Sequence, residues 1–303
     1  MVNHSLKFCY DFCMKNLLLL FCMILSTSAL AQDKPAYRLF SAKGKSVQYR
    51  KMLQELATAD VVFFGEQHND PIAHWLQLEL AKDLHRHHGQ KLLLGAEMWE
   101  TDTQAALDSF LLNQLDEPAF VQSSRAWPNF ATDYKPLLLF ARDNNVQVIA
   151  TNAPRRSARV VARQGLAGLD ALPAEEKQWL VLLPLTIDLE LPAYKRMRSM
   201  FGDAHGSSAA SSQIVEAQAL KDATMAQFIS KNLPSGRHLL HLNGSYHSDH
   251  HEGIIWYLRR LRPELTIKTI STVLQPHLEN LDKAHLKRAD FILAVPESMT
   301  KTY

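Results

Sequence analysis

Three apolar runs in this chain each end directly in acidic or histidine residues, and this pattern constrains the fold most. The runs with the polar residues that follow are Val61–Phe64 before Gly65-Glu66-Gln67-His68, Leu92–Leu94 before Gly95-Ala96-Glu97, and Leu239–Leu242 before Asn243-Gly244-Ser245-Tyr246-His247. In an open α/β sheet the carboxyl ends of the parallel strands form one rim, and ligands bind in the crevice beside it. Polar groups are also less costly at that rim than inside the sheet. The three endings therefore predict one shared site.

Apolar runs of strand length alternate with segments of helical periodicity along the chain. The expected strands are Val61–Phe64, Lys91–Ala96, Val146–Thr151, His238–Leu242, Thr266–Thr272 and Phe291–Val295. The expected helices are Ser46–Ala57, Pro71–Arg86, Thr103–Leu112, Tyr134–Asn144, Arg155–Gln164, Ser212–Lys231 and Gly253–Leu261. Most of the strands are apolar throughout, which is typical of strands covered on both faces. The alternation predicts an α/β fold with a mostly parallel central sheet flanked by helices.

The first 31 residues have the pattern of a secretory signal peptide. Lys15 precedes the apolar stretch Leu17–Leu25, and the small residues Ala29 and Ala31 follow it. This is the usual order of basic start, short apolar segment and cleavage site. Translation from Met14 would give the same order without the preceding residues. We expect export to the periplasm or cell surface, with residues 32–303 as a single domain; a retained membrane anchor is the alternative.

The composition argues against cysteine chemistry and against nucleic acid as a partner. All three cysteines, Cys9, Cys13 and Cys22, lie in the predicted signal peptide, so the exported chain has no disulfide and no thiolate nucleophile. Lipidation of Cys22 is disfavoured because the bulky Phe21 precedes it, and membrane association is expected only with a lipid. The net charge of +2 arises from 33 basic and 31 acidic residues, so no strong field favours nucleic acid as a partner.

Four residues at the predicted rim have the chemistry of a metal or catalytic site. These are Glu66, His68, Glu97 and His247. Imidazole and carboxylate groups of this kind hold zinc in enzymes that keep one position open for water. We therefore expect either a divalent metal ion at the rim or a hydrolase that uses these four residues. In the structural alternative, Glu66 caps the next helix and His68 is only exposed.

The segment at about 182–212 breaks the alternation of strands and helices. It contains Pro184 and Pro192, and it ends in a stretch rich in Gly, Ser and Ala. We interpret it as a small helical cap or lid inserted over the rim. An ordinary amphipathic helix with a linker is the alternative.

Within this segment five residues suggest haem chemistry. Tyr194 can ligate ferric haem iron as a phenolate, and Met197 can contact the flat macrocycle. Arg196 and Arg198 are expected to meet the haem propionates. His205 is expected to hydrogen-bond the phenolate oxygen or to approach the opposite face of the iron.

The order of motifs along the chain resembles that of the ChaN-like haem-binding uptake family, which belongs to a superfamily with the Tiki and TraB proteins. The motifs are Gly65-Glu66-x-His68, Gly95-x-Glu97, Trp127 with Tyr134 and Pro136, Asn152-x-Pro154, Gln218-x₃-Asp222-x₂-Met225-Ala226 and Gly244-x₂-His247. They extend from about Ala59 to Thr272 and cover most of the exported chain.

The resemblance implies an exported protein that holds haem in iron acquisition. A characterised member of the family binds two stacked haems between two subunits through tyrosine, so the resemblance implies a homodimer, a haem-transport partner and Tyr194 as the ligand. Tiki relatives are metal-dependent proteases whose histidine and glutamate correspond to His68 and Glu97. Three hypotheses follow: a haem-binding protein, a metal-dependent hydrolase, and a scaffold in which the rim is only structural.

Overall fold

The computed structural model describes residues 33–205 and 208–303, without the side chains of residues 201–211. The predicted signal peptide, the alternative start at Met14 and the side chain of His205 lie outside the described residues. Residues Ala36–Tyr303 form one compact unit.

One seven-stranded sheet lies at the centre of the described part of the chain. Its strands are β1 (Arg38–Ser41), β2 (Val61–Glu66), β3 (Leu92–Glu100), β4 (Gln147–Asn152), β5 (His238–Gly244), β6 (Ile267–Gln275) and β7 (Phe291–Pro296). The order across the sheet is β1-β7-β6-β2-β5-β3-β4. Every pairing is parallel except that of β1 with β7. The predicted α/β fold with a mostly parallel sheet is confirmed.

Helices connect the strands and cover the sheet. They are α1 (Tyr49–Leu56), α2 (Pro71–His88), α3 (Gln104–Leu111), α4 (Glu117–Ser124), α5 (Lys135–Asp143), α6 (Arg155–Gln164), α7 (Ala174–Lys177), α8 (Pro192–His205), α9 (Ser208–Asn232) and α10 (Ile254–Leu261). Within the described residues, no helix combines the length and apolar character that crossing a bilayer requires.

The core lies on both faces of the sheet, as the continuous apolar strands predict. On one face Phe64 packs in a cluster with Leu76 of α2. On the other face Phe63 packs in a cluster with Met225 and Ile229 of α9. Successive residues of β2 therefore point into different helical layers, and both layers hold the strand in place up to its last residue.

The strand register places the polar residues of the rim side by side. Glu66 at the end of β2 pairs with Gly244 of β5, and Ala96 of β3 pairs with Leu242 of β5. β3 is longer than predicted and continues past Glu97, so Glu66 and Glu97 belong to the strands and not to the loops after them. The pairing of β2 with β5 holds the Glu66 backbone, and the Glu97 carbonyl accepts a hydrogen bond of 2.9 Å from the Asn152 side chain where the β3–β4 register shifts.

Candidate functional site

The four rim residues predicted from the sequence lie around one cleft. This cleft, of about 460 Å³, opens at the carboxyl ends of β2, β3 and β5 and is lined by Glu66, His68, Glu97 and His247. The remaining lining includes Met197 of α8 and two cations. The structure thus brings together residues that are widely separated along the chain, as the strand endings predict.

Glu66 holds His68 in place. The Nδ1 atom of His68 lies 2.9 Å from Glu66 Oε1, which also accepts a hydrogen bond of 2.7 Å from the Tyr134 hydroxyl. The second carboxylate oxygen accepts a hydrogen bond of 2.7 Å from the Gln77 amide. Both oxygens of this buried carboxylate are therefore occupied. Glu66 is fixed as an orienting group for His68, a role that carboxylates play for ligand histidines.

The imidazole of His68 lies in the wall of the cleft beside Gly244. Trp127 packs edge-on against the imidazole with ring centres 4.8 Å apart, and Asn129 donates a hydrogen bond of 2.8 Å to the His68 carbonyl. Gly244 leaves the space that this ring needs, because a Cβ atom there would lie 2.8 Å from His68 Cε1 and Nε2. Burial opposes protonation of His68, but the hydrogen bond to Glu66 and the charge of Glu97 outweigh it and raise its pKa.

His247 lies in a buried chain of charged and polar groups. Its Nε2 atom lies 3.1 Å from Glu97 Oε1, and its Nδ1 atom lies 2.5 Å from Asp222 Oδ1. The second oxygen of Glu97 accepts a hydrogen bond of 2.7 Å from the Gly244 amide. The Tyr194 hydroxyl donates a hydrogen bond of 2.8 Å to Asp222 Oδ2. The chain therefore connects the sheet rim to α9 and α8.

Both ring nitrogens of His247 face carboxylates, an arrangement that favours the imidazolium form. Burial opposes its protonation, but the charges of Glu97 and Asp222 outweigh burial and raise its pKa to about 10. Burial would raise the pKa of Glu97, but the charge of His247 outweighs it and holds that pKa far below the usual value. Burial and the charge of Asp222 raise the pKa of Tyr194 well above its ordinary value.

The residues predicted to contact haem differ in their exposure and in whether they line the cleft. Met197 lines the cleft. Tyr194 is only 1% exposed, and its hydroxyl is engaged with Asp222. Arg196 is exposed and lies 3.4 Å from Glu252, and Arg198 is half-buried on the same helix. Ligation by Tyr194 would therefore require that its hydrogen bond to Asp222 be broken.

The two arginines at the start of α6 bind carboxylates of the protein itself. Arg155 Nε lies 2.5 Å from Glu100 Oε1, and Arg156 Nε lies 3.1 Å from Glu176 Oε2. Arg156 also pairs with Asp102. The guanidinium groups at the start of α6 are therefore engaged within the protein.

The predicted divalent metal ion at the rim finds no support. Among the described residues, no three or more His, Cys, Asp or Glu side chains are grouped so that they could hold a metal ion. The reason is that Glu66, Glu97 and His247 each use their polar atoms on partners within the protein.

Several residues of the site were not assigned a role from the sequence. Tyr134 and Asp222 occur in the motifs of the family, but their bonds to Glu66 and to His247 follow only from helix packing. Lys221 and Arg288, which line the cleft, belong to α9 and to the loop before β7. No local pattern in the sequence distinguishes these two cations from solvent-exposed ones.

The fold and the cleft define an α/β domain with a histidine and carboxylate site at the carboxyl edge of its sheet. The sequence profile of the family described as "Haem-binding uptake, Tiki superfamily, ChaN" matches residues 52–258, and the chain belongs to that family.

Two solved structures share the fold of this chain. A structure titled "Cofacial heme binding to ChaN of Campylobacter jejuni" has a TM-score of 0.65 and 17% identity, covering 86% of this chain and 98% of that chain. A succinoglycan biosynthesis protein has a TM-score of 0.50 and 10% identity, covering 86% of this chain and 94% of its own. At these identities the likeness shows the fold.

Protein RETICULATA-RELATED 5, chloroplastic, of Arabidopsis thaliana is 28% identical over 126 residues, which are 40% of this chain. The match spans 17% of the length of that plant protein. It therefore concerns a part of the relative and not its whole activity.

Proposed function

We propose that this protein binds haem in the rim cleft and serves in haem or iron acquisition after export. Membership of the haem-binding uptake family supports the ligand. The observation that carries the proposal is the state of His68: its Nδ1 atom is held by Glu66, so that its Nε2 atom is the one free to ligate. Histidine is a common axial ligand of haem iron, and a partner that holds the other ring nitrogen fixes the ring and raises its basicity.

One wall of the cleft offers an apolar contact for a macrocycle. Met197 lines it from α8, and the thioether of methionine adapts to flat or irregular apolar surfaces. The lack of a side chain at Gly244 lets the imidazole of His68 occupy its place on the wall of the cleft. The iron of haem would be coordinated by His68 Nε2. The other residues of the cleft would bind and orient the haem.

Tyr194, the ligand implied by the resemblance, would have to lose its hydroxyl proton and its hydrogen bond to Asp222 before it could bind iron. Its hydroxyl donates to Asp222, and burial together with Asp222 raises its pKa, which opposes the phenolate form. We therefore propose His68 as the iron ligand in the arrangement described here. Tyr194 would become the ligand only in an arrangement in which its bond to Asp222 is broken.

A hydrolase at the same rim residues is not our proposal. General acid or base catalysis needs a group that can exchange a proton with a substrate. Three of the four rim residues, Glu66, Glu97 and His247, instead form hydrogen bonds with partners within the protein. For His68 the haem-binding family favours ligation of iron over proton transfer. A homodimer and transfer to haem-transport machinery belong to the haem proposal and are drawn from the family alone.

A haem titration followed by absorption spectroscopy tests the proposal. We expect the wild-type protein to bind ferric haem stoichiometrically with the spectrum of a histidine complex. His68→Ala should lose that spectrum, and added imidazole should restore it by entering the space left by the side chain. Failure of the wild-type protein to bind haem would overturn the proposal.

Tyr194→Phe and Tyr49→Phe form a matched pair for this titration. Each variant loses a tyrosine hydroxyl that donates to a carboxylate, Asp222 in one case and Asp83 in the other, and the second lies away from the cleft. We expect neither variant to change the haem spectrum. If Tyr194→Phe alone abolished the spectrum, tyrosine would be the ligand and the assignment to His68 would be wrong.

A further inference from the structure

The carboxylates deepest in the cleft all have partners within the protein. Glu66 accepts hydrogen bonds from Tyr134 and Gln77 and lies beside His68. Glu97 is paired with the cation of His247 and accepts a bond from the Gly244 amide. The oxygens of these carboxylates are therefore already occupied by groups of the protein.

The two cations on the wall of the cleft are paired much less completely. Lys221 lines the cleft and makes no ion pair within 4 Å to any carboxylate of the described residues. Arg288 reaches only Asp249, at 3.5 Å, and its Nε atom is buried without a hydrogen-bond partner among the described residues. A buried donor without a partner is costly and uncommon in proteins. Both side chains therefore have donors left for an anion.

The carboxylate of Asp249 only partly compensates the positive charge of Arg288. Its carboxylate accepts a hydrogen bond of 2.6 Å from the Ser271 hydroxyl, which occupies the oxygen that Arg288 does not approach. Burial raises the pKa of Asp249 to about 6, so this carboxylate takes up a proton more readily than an exposed one does. The wall that carries Arg288 thus remains able to receive an anionic group.

We propose that Lys221 and Arg288 bind the carboxylates of the ligand, so that the cleft selects a porphyrin in its free-acid form. This inference rests on the proposed haem function. It adds that the protein recognises the two propionate carboxylates of haem. Lysine and arginine form their strongest hydrogen bonds with ionised carboxylates. We assign the propionate role expected for Arg196 and Arg198 to these two residues, because Lys221 and Arg288 line the cleft and the two arginines of α8 do not.

The test compares ferric haem with its dimethyl ester, which keeps the iron and the ring but lacks the two negative charges. We expect the ester to bind the wild-type protein about tenfold to a hundredfold more weakly, the range for loss of hydrogen bonds to charged groups. Lys221→Met and Arg288→Met should weaken haem binding by a similar factor and leave ester binding unchanged. Arg288→Lys should recover part of the loss.

Lys231→Met is the matched control, since Lys231 is exposed on the same helix as Lys221 and does not line the cleft. It should bind both ligands as the wild-type protein does. Equal affinity of the wild-type protein for haem and ester would overturn the inference and leave the haem function standing. If the wild-type protein bound neither haem nor the ester, the proposed function itself would be overturned.

Discussion

At the scale of single residues, His247 is the side chain whose charge the fold controls most closely. A buried imidazolium between two carboxylates is stable only while all three groups keep their charges. The groups come from three elements: Glu97 from β3, Asp222 from α9, and His247 from the turn after β5. Their mutual pairing therefore ties the rim of the sheet to the helix that covers it.

We predict that His247 stays protonated through neutral pH. Its pKa in the folded protein is about 10, above the ordinary value of 6.5. A raised pKa contributes stability that is fully present below about 6.5 and is lost as the pH rises through about 10. A histidine NMR titration should show no midpoint for this ring between pH 6 and 8, and the free energy of unfolding should fall at alkaline pH. A midpoint near 6.5 would contradict the assigned pairing.

Replacement of His247 should destabilise the protein strongly. His247→Ala leaves Glu97 and Asp222 buried without their shared cation, and breaking a buried pair in this way costs about 3–5 kcal/mol. His87→Ala removes an exposed histidine on α2 and should change the free energy of unfolding by no more than about 0.5 kcal/mol. Urea denaturation of both variants measures the difference. Equal stability of the two would refute the role given to His247.

The sequence predicts the meeting of Glu66, His68, Glu97 and His247, because parallel strands end at one edge. It does not predict their partners. Tyr134 lies 68 positions from Glu66, and Tyr194 lies 28 positions from Asp222. These bonds depend on how helices pack over the sheet, which no local pattern encodes.

At the scale of elements, the last residues of the chain fasten the loop that carries His68. The Thr302 amide donates a hydrogen bond of 3.1 Å to the Asn69 carbonyl, and its hydroxyl donates one of 2.7 Å to Asp133. The same carboxylate oxygen accepts a bond of 2.6 Å from Asn129, whose amide also bonds the His68 carbonyl. The C-terminal segment therefore supports the loop from behind the cleft.

Thr302→Val tests this support. The variant keeps the shape of the side chain but loses the hydroxyl donor, which should lower the free energy of unfolding by about 1 kcal/mol. Hydrogen exchange of the amides in residues 67–70 should become faster. Thr300→Val changes an exposed threonine of the same segment and should leave exchange unchanged. If Thr302→Val also left exchange unchanged, the segment would have no part in holding the loop.

The elements that sequence patterns missed are short. β1 has four residues and pairs antiparallel at the edge of the sheet, so neither length nor periodicity marks it. α4 has eight residues, although Asp116 caps it by accepting a hydrogen bond of 2.9 Å from Ala119 N, and a proline occupies its first turn. That cap signal was available in the sequence. The long, strongly apolar strands were predicted because burial on both faces leaves a continuous pattern.

At the scale of the whole molecule, the proposed role requires export. We predict that the protein made in its native host loses residues 1–31, so that the mature chain begins at Gln32. Mass spectrometry of the intact purified protein measures this directly. Ala29→Leu with Ala31→Leu removes the small residues that a signal peptidase needs and should block cleavage. A wild-type protein that keeps residues 1–31 would contradict the proposed location.

The central claim is that haem binds in the rim cleft. A crystal structure of the protein with ferric haem tests this claim directly. We predict iron bound to His68 Nε2, the ring against Met197, and the carboxylates near Lys221 and Arg288. Haem bound at another surface, with Glu66 and His68 still paired and the cleft free of it, would contradict the account.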